Sequence, residues 1–332
     1  MSIRSIRGSS IKGTNTLDEA QPASFDCEYV VLAGGSGGGG GRIGTGAYSG
    51  EYYNGGGGGA GGYHTNVTGD LSGEDTTVEN PIKVFLGYDY YVQVGAGGNA
   101  AASGGETAGG SGTESKFDLI VMSAGGVGQS RGGGGGTGGC GGGRGGGIYG
   151  GSSTDNNVDG QGFRGGWSDQ TGPNNYTFGA GGGVSERGAA TGGDTFSGVT
   201  GGAGIVSTIL TSAEATAQSV GEVDSSTVYF GGGGGAGNGN AGGLGGGGNG
   251  GAHQNGAGTA AGANTGGGGG GSAGGSAPTA SGAGGSGVVI LRYPSEFTID
   301  VDSGITSHTT ITNASGQSVT IFKAGADAVR WT

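Results

Sequence analysis

Few residues in this chain have the types and spacing that chemistry needs. Gly34-x-Ser36-x-Gly38 fits the sharp turn that exposes a nucleophilic serine. Such a serine needs a histidine base held by an acid. The three histidines, His64, His253 and His308, are scattered and supply no triad. Matches to G-x-G-x-x-G recur wherever glycine is this dense, but no strand–turn–helix unit surrounds one, and no P-loop lysine motif exists. Catalysis and nucleotide binding are therefore not expected. Asp155-Asn-Asn157-Val-Asp159-Gly160 matches the first half of a calcium loop, D-x-N-x-D-G. An EF-hand has glutamate at the twelfth position, and here it is Gly166. Asp155, Asn157 and Asp159 are left as candidates for a calcium site of another kind; the alternative is a polar turn of Asx hydrogen bonds. No other cofactor is implied.

Aromatic residues form the second set. Tyr48, Tyr52, Tyr53, Tyr63, Tyr149, Phe163, Trp167, Tyr176, Phe178 and Phe196 fall between the strand-like segments. Either they pack over the edge of a glycine bundle or they face a sugar or protein partner. The candidates for a receptor contact are Tyr52, Tyr53, Trp167 and Tyr176.

Glycine dominates what must position these groups. It supplies 98 of 332 residues, in unbroken runs such as Gly37–Gly41, Gly55–Gly59, Gly132–Gly136, Gly231–Gly235 and Gly266–Gly271. Such runs have no side chains to bury and lose the most freedom on ordering. Composition alone suggests low complexity. The runs alternate with strand-like segments, however, and Lys plus Arg total only 13 and Pro only 5. Collagen is excluded, because the glycines are contiguous and prolines are few. Polyglycine II fits better. It is a helix of three residues per turn and about 3.1 Å rise with every amide free to bond a neighbour. A run of five then spans roughly 15 Å.

The strand pattern recurs at residues 25–32, where Phe25, Cys27, Tyr29 and Val31 share a face. It recurs at 82–94, with Tyr88, Tyr90, Val92 and Val94 together, at 117–123, with Phe117, Leu119 and Val121 together, and at 288–293. Excursions at 33–80, 95–115, 124–204 and 231–287 leave the strands and return. Residues 205–230 break the pattern, with a short helix expected over Ser212–Ser219. Three regions follow: an N-terminal docking arm (1–24), a glycine-rich domain (25–294) and a separate small C-terminal β element (295–332), with a hairpin turn at Asn313–Gly316.

The net charge is 13 − 25 = −12, which repels phosphate backbones, so nucleic acid is not an expected partner. Cys27 and Cys140 are too far apart to be a disulfide framework. No 18-residue apolar run suggests membrane insertion, and the N-terminus lacks the apolar stretch of a secretory signal.

The junctions Tyr29-Val-Val-Leu-Ala-Gly-Gly, Tyr91-Val-Gln-Val-Gly-Ala-Gly-Gly and Gly284-Gly-Ser-Gly-Val-Val-Ile-Leu-Arg-Tyr-Pro294 resemble the glycine-rich domain family of tailed-phage virion proteins. They are also similar to the glycine-rich domain of anaplastic lymphoma kinase receptors. The resemblance covers about residues 25–294. It implies an all-β, jelly-roll-like body with an inserted polyglycine-II bundle. It also implies a non-enzymatic tail fibre or host-receptor adhesin, made in the host cytoplasm and displayed on the virion surface. Its partners would be other virion proteins or copies of itself, as a homotrimer or larger array, and a host glycan or protein. The alternatives are a capsid-decorating or baseplate protein, or an extracellular filament subunit. Ice binding needs a regular small-residue face, which aromatic, irregular excursions do not suggest.

Overall fold

The computed structural model describes residues 23–43, 52–103, 106–147, 156–167, 178–190, 199–277, 279–313 and 315–332. Its organising strand is β1 (Ser24–Leu32). Alternation sends Phe25, Cys27, Tyr29 and Val31 into one core and Val30 and Leu32 into another. A strand buried on both faces must lie inside a sheet that is covered on both sides.

Two short strands, β2 (Arg42–Ile43) and β3 (Tyr52–Tyr53), pair with each other. β4 (Tyr63–Thr65) and β5 (Ile82–Phe85) both pair with β1, β5 along its first half and β4 along its second. Then come β6 (Asp89–Gln93), β7 (Ser115–Phe117) and β8 (Ile120–Met122). β9 (Ile205–Val206), β10 (Glu222–Asp224) and β11 (Thr227–Phe230) make a small sheet of their own. The chain closes with β12 (Val288–Pro294), β13 (Ile299–Val301), β14 (Ser307–Thr312), β15 (Gln317–Ala324) and β16 (Ala326–Trp331). The six-stranded sheet runs β14-β15-β12-β1-β4, with β5 also on β1; the five-stranded sheet runs β13-β16-β6-β7-β8. Among the described residues every strand pair is antiparallel. The protein is thus almost entirely β.

The two large sheets enclose one core. Tyr29, Val31, Val289, Leu291, Tyr293 and Phe322 from the first meet Val92, Phe117, Met122, Val329 and Trp331 from the second. Trp331 stands edge-on to Phe25, Tyr90 and Tyr293 at centroid distances of 5.7, 5.7 and 5.5 Å. The other face of the first sheet buries Val30, Leu32, Ile290 and Ile321 against Cys140, Val184, Ile209, Leu210 and Phe230.

Residues 295–332 are therefore not a separate element. β15 pairs along β12 from Val289↔Phe322 to Pro294↔Gln317, and β16 pairs along β6. The apolar alternation of β15, with Val319 and Ile321 in one core and Phe322 in the other, requires this central place. The expected faces at 82–94 and 117–123 also break. Leu86–Tyr88 turns the chain between β5 and β6, leaving Tyr88 exposed. Asp118, at φ 50°, turns it between β7 and β8. Phe117 and Met122 then point inward, while Leu119 is 90% exposed. The Asn313 turn forms as expected, with Asn313 N–H donating to Gln317 at 2.9 Å and Gly316 at φ 76°.

The expected helix is α1 (Ser212–Gln218). Thr211 and Glu214 form a reciprocal capping box at its start, and Ser219 ends it in the left-handed conformation. Ala215 packs with Ile209, Leu210 and Val220 against the outer face of the first sheet.

The sheet ladder passes without a break into the glycine segments. Leu32 faces Tyr63 in the strand pair, and Ala33 N–H then donates to Gly62 O at 3.0 Å. From there the donors rotate among three neighbours. Ala33, Ser36 and Gly39 donate to Gly62, Gly59 and Gly56. Gly34, Gly37 and Gly40 donate to Thr113, Gly110 and Thr107, while Gly35 and Gly38 donate to Gly285 and Gly282. Advancing three residues returns to the same neighbour; advancing one turns to the next. The next segment repeats this: Gly55, Gly58 and Gly61 donate to Ser272, Gly269 and Gly266, and Gly56, Gly59 and Gly62 to Gln129, Gly126 and Ser123. A Cβ on Gly58 would overlap the Ser36 carbonyl oxygen, and one on Gly268 the Gly58 carbonyl oxygen. Bare backbone is what lets the segments come this close. Gly69, at φ 91°, is a glycine for a different reason: it has open space around it and needs only the left-handed turn.

Candidate binding cleft

The groups that sequence suggested for chemistry are mostly absorbed into this framework. Ser36 is buried; its hydroxyl donates to the Gly125 carbonyl and accepts from Gly112 N–H at 3.1 Å. Burial pushes the thiols of Cys27 and Cys140 and the phenols of Tyr29 and Tyr63 well above their ordinary values, so they stay protonated at neutral pH.

Of the calcium-loop candidates, Asp155 lies outside the described residues and Asp159 is exposed. Asn157 donates from Nδ2 to Glu74 Oε1 at 2.5 Å, and Gly160 N–H donates to Glu74 Oε2 at 2.7 Å. Glu74 itself sits at φ 57°. Its carboxylate thus bridges to the Asn157–Gly160 turn from a loop far away in sequence. Among the described residues no three His, Cys, Asp or Glu side chains cluster as a metal site would require.

Sequence reasoning missed two other such carboxylates. Asp70 accepts from the Ser207 hydroxyl at 2.8 Å and from Thr208 N–H and hydroxyl at 2.9 and 2.7 Å. Glu222 accepts from Gly245 and Gly246 N–H at 2.6 and 2.7 Å, where both glycines have positive φ. Their partners are distant in sequence, so no local pattern marks them.

The aromatic candidates separate. Tyr52 pairs with Ile43 through its backbone, and Tyr176 lies outside the described residues. Tyr53 is 1% exposed, covered by the Arg131 guanidinium 5.0 Å above its ring. Glu106 lies 2.6 Å from Arg42 and 3.4 Å from Arg131, which fixes that cover. Tyr63 and Phe178, expected either over the bundle edge or facing a partner, are also buried. Tyr63 stacks at 6.5 Å on Phe230 under the first sheet, because it belongs to β4. Phe178 packs with Ala180, Val199 and Ala236 inside the glycine region.

Trp167 is different. It is half-buried on the wall of a cleft of about 310 Å³ that is lined by Arg164, Gly165, Glu186, Arg187 and Gly188–Ala190. The floor is locked by main-chain bonds. Gly166 N–H donates to Ala180 O at 2.7 Å, Gly188 to Arg164 O at 3.1 Å and Ala180 to Ala189 O at 2.9 Å. Glu186 and Arg187 are exposed at the rim, and Glu186 Oε2 accepts from Ala203 N–H at 3.4 Å. Among the described residues, the lining combines an indole, two guanidiniums and one carboxylate on a rigid floor.

No curated protein and no solved structure matched this chain. A sequence model for a glycine-rich domain did, over residues 12–294, ending where β12 ends. With most of its length covered, and with strand ladders running directly into glycine segments, the chain belongs to the glycine-rich domain family.

Proposed function

We propose that this protein is a non-enzymatic structural component of a phage virion, a tail fibre or host-receptor adhesin, in which a jelly-roll-like β body carries a polyglycine-II bundle. The observation that carries the reading is the rotation of amide donors among three neighbours in steps of three residues. Polyglycine II has that period and leaves every amide free for a neighbour. The framework spends its backbone on holding shape and leaves side chains at its margins for recognition. The Trp167 cleft is the receptor-facing part of this reading, with a host glycan or protein as its partner. Immunogold labelling of purified particles tests the assignment: label at the tail supports it, and particles without label overturn it.

A second reading, a capsid-decorating, baseplate or filament subunit, draws support from one patch. Leu119, Val121 and Tyr91 are exposed on the outer side of the five-stranded sheet, where a neighbouring subunit would cover them. A chain lacking residues 1–24 separates the two. Lost particle incorporation with an intact fold favours docking through the arm, and lost polymerisation favours a filament.

A further inference from the structure

We propose that two copies of this chain join edge to edge through β14, whose outward main-chain groups pair with the same groups of the second copy across a two-fold axis. The contact goes beyond both readings of function and holds under either.

The margin itself is the first argument. β14 ends the six-stranded sheet, and among the described residues its only ladder is with β15. An open edge presents a row of unpaired N–H and C=O groups, which proteins blunt by shortening the strand or by placing charge or proline on it. The margin strands β4, β5, β8 and β13 have only three or four residues. β14 has six, Ser-His-Thr-Thr-Ile-Thr, with no proline, carboxylate, lysine or arginine. Three of its side chains are tied sideways to β15. His308 stacks on Phe322 at 6.1 Å, Thr310 Oγ1 lies 2.8 Å from Thr320 Oγ1, and Thr312 Oγ1 lies 3.2 Å from Ser318 Oγ. The edge is therefore held extended before a partner arrives, which removes an ordering cost.

Register is the second. Asn313 N–H donates to Gln317 O across the hairpin. Antiparallel ladders alternate, so Ile311 and Thr309 also turn their main-chain groups toward β15. His308, Thr310 and Thr312 turn theirs outward, and none of the three bonds another described segment through its backbone. The register shift between Ser307 and His308 ends the regular run there. Three outward residues centred on Thr310 are self-complementary. With Thr310 opposite the second copy's Thr310, and His308 opposite its Thr312, each outward N–H meets a carbonyl, three from each copy. Charge is the third. A net charge of −12 keeps copies apart. Residues 303–322, which hold β14 and most of β15, contain no Asp, Glu, Lys or Arg. Two acidic bodies therefore meet along this margin without setting like charges side by side. A two-fold contact closes at two copies, so a larger array needs a second interface.

Sedimentation of the full chain from micromolar to millimolar concentration tests this. The mass should rise from one copy toward two, over a wide range because so small a contact is weak. Hydrogen exchange at the His308, Thr310 and Thr312 amides should slow as the dimer forms. Thr310→Lys and Thr310→Glu each set like charges opposite one another across the axis and should weaken the dimer about fivefold or more. Thr310 is exposed, so the melting temperature should stay unchanged. An equimolar mixture of the two variants should regain the dimer, because opposite charges then face each other. The proposal is overturned if the chain sediments as one copy throughout, if both charge variants dimerise as wild type does, or if their mixture does no better than each alone. A chain that stays monomeric until residues 1–22 are removed assigns the edge to that arm and also overturns it. So does a dimer that yields to Leu119→Ser, which places the contact on the five-stranded sheet.

Discussion

The two halves of this molecule solve one problem by opposite means. Between the large sheets, Phe25, Tyr293, Phe322 and Trp331 fill space with side chains, and backbones stay a sheet spacing apart. In the glycine region, Gly34–Gly41, Gly55–Gly62 and Gly266–Gly271 bring backbones together on all sides, and the filling is the peptide group itself. The first interior is held by apolar burial, which tolerates exchange of one hydrophobe for another of similar size. The second is held by directional bonds between groups that every residue carries, and at positions such as Gly58 and Gly268 it leaves no room for a Cβ. Order in a protein interior thus does not require a hydrophobic core, provided every amide finds a carbonyl.

Deleting residues 295–332 attacks the first half outright. It strips β12 of β15 and β6 of β16 and removes Trp331. Cooperative thermal unfolding should vanish from the shortened chain; a retained transition would show that the sheets stand without these strands. Gly58→Ala attacks the second half. It should cost about 3 kcal/mol or more, since the neighbouring carbonyls belong to a bonded array that cannot yield locally. Gly69→Ala, in open space, should cost only the left-handed conformation, about 1–2 kcal/mol. Equal losses in chemical denaturation would erase the distinction between the halves.

Glu222→Gln probes a junction between them. Leaving the Gly245 and Gly246 amides with a weaker acceptor should cost roughly 1–3 kcal/mol. Alkali acts on both interiors through the buried thiols and phenols. Cys27, Cys140, Tyr29 and Tyr63 hold their protons more tightly folded than unfolded. Below the ordinary thiol value of 9.0 both states are protonated and stability is full. As pH climbs past 9.0 for the thiols and 10.0 for the phenols, the unfolded chain sheds protons that the folded one keeps, and stability falls. Melting temperature followed from pH 7 upward should be flat and then decline, and a thiol reagent should modify neither cysteine before unfolding. The smallest effect belongs to Leu119→Ser, within about 0.5 kcal/mol for the monomer. Sedimentation would register it only if that patch joins subunits.

Strand identity was legible in the alternation of β1 and in the β-rich run of β12, and the helix where Thr211 and Glu214 announce its start. Hairpins hidden inside a continuous apolar pattern were not. Phe117, Leu119 and Val121 keep strict period two through a turn that reverses the chain, because one left-handed aspartate suffices. Glycine runs signal close backbone approach but not which runs meet. That pairing depends on long-range register, as when Ser36 bonds Gly59 and Gly269 bonds Ser36. Among the site residues, Trp167 reached a cleft while Tyr53 was covered by Arg131, a contact between positions that sequence places far apart.

The pairing of β6 with β16 has a consequence for how the protein is made. Gln93 leaves the ribosome more than 200 residues before Ala326, its partner. Closing so long a loop is slow, because the entropy must be lost before the contact repays it. Some glycine amides wait as long: those of Gly35 and Gly38 have no mate until Gly285 and Gly282 are made, more than 240 residues later. Synthesis therefore passes through a long interval in which neighbouring copies on one messenger could cross-bond, and a chaperone that keeps nascent chains separate would raise the yield of correctly closed protein.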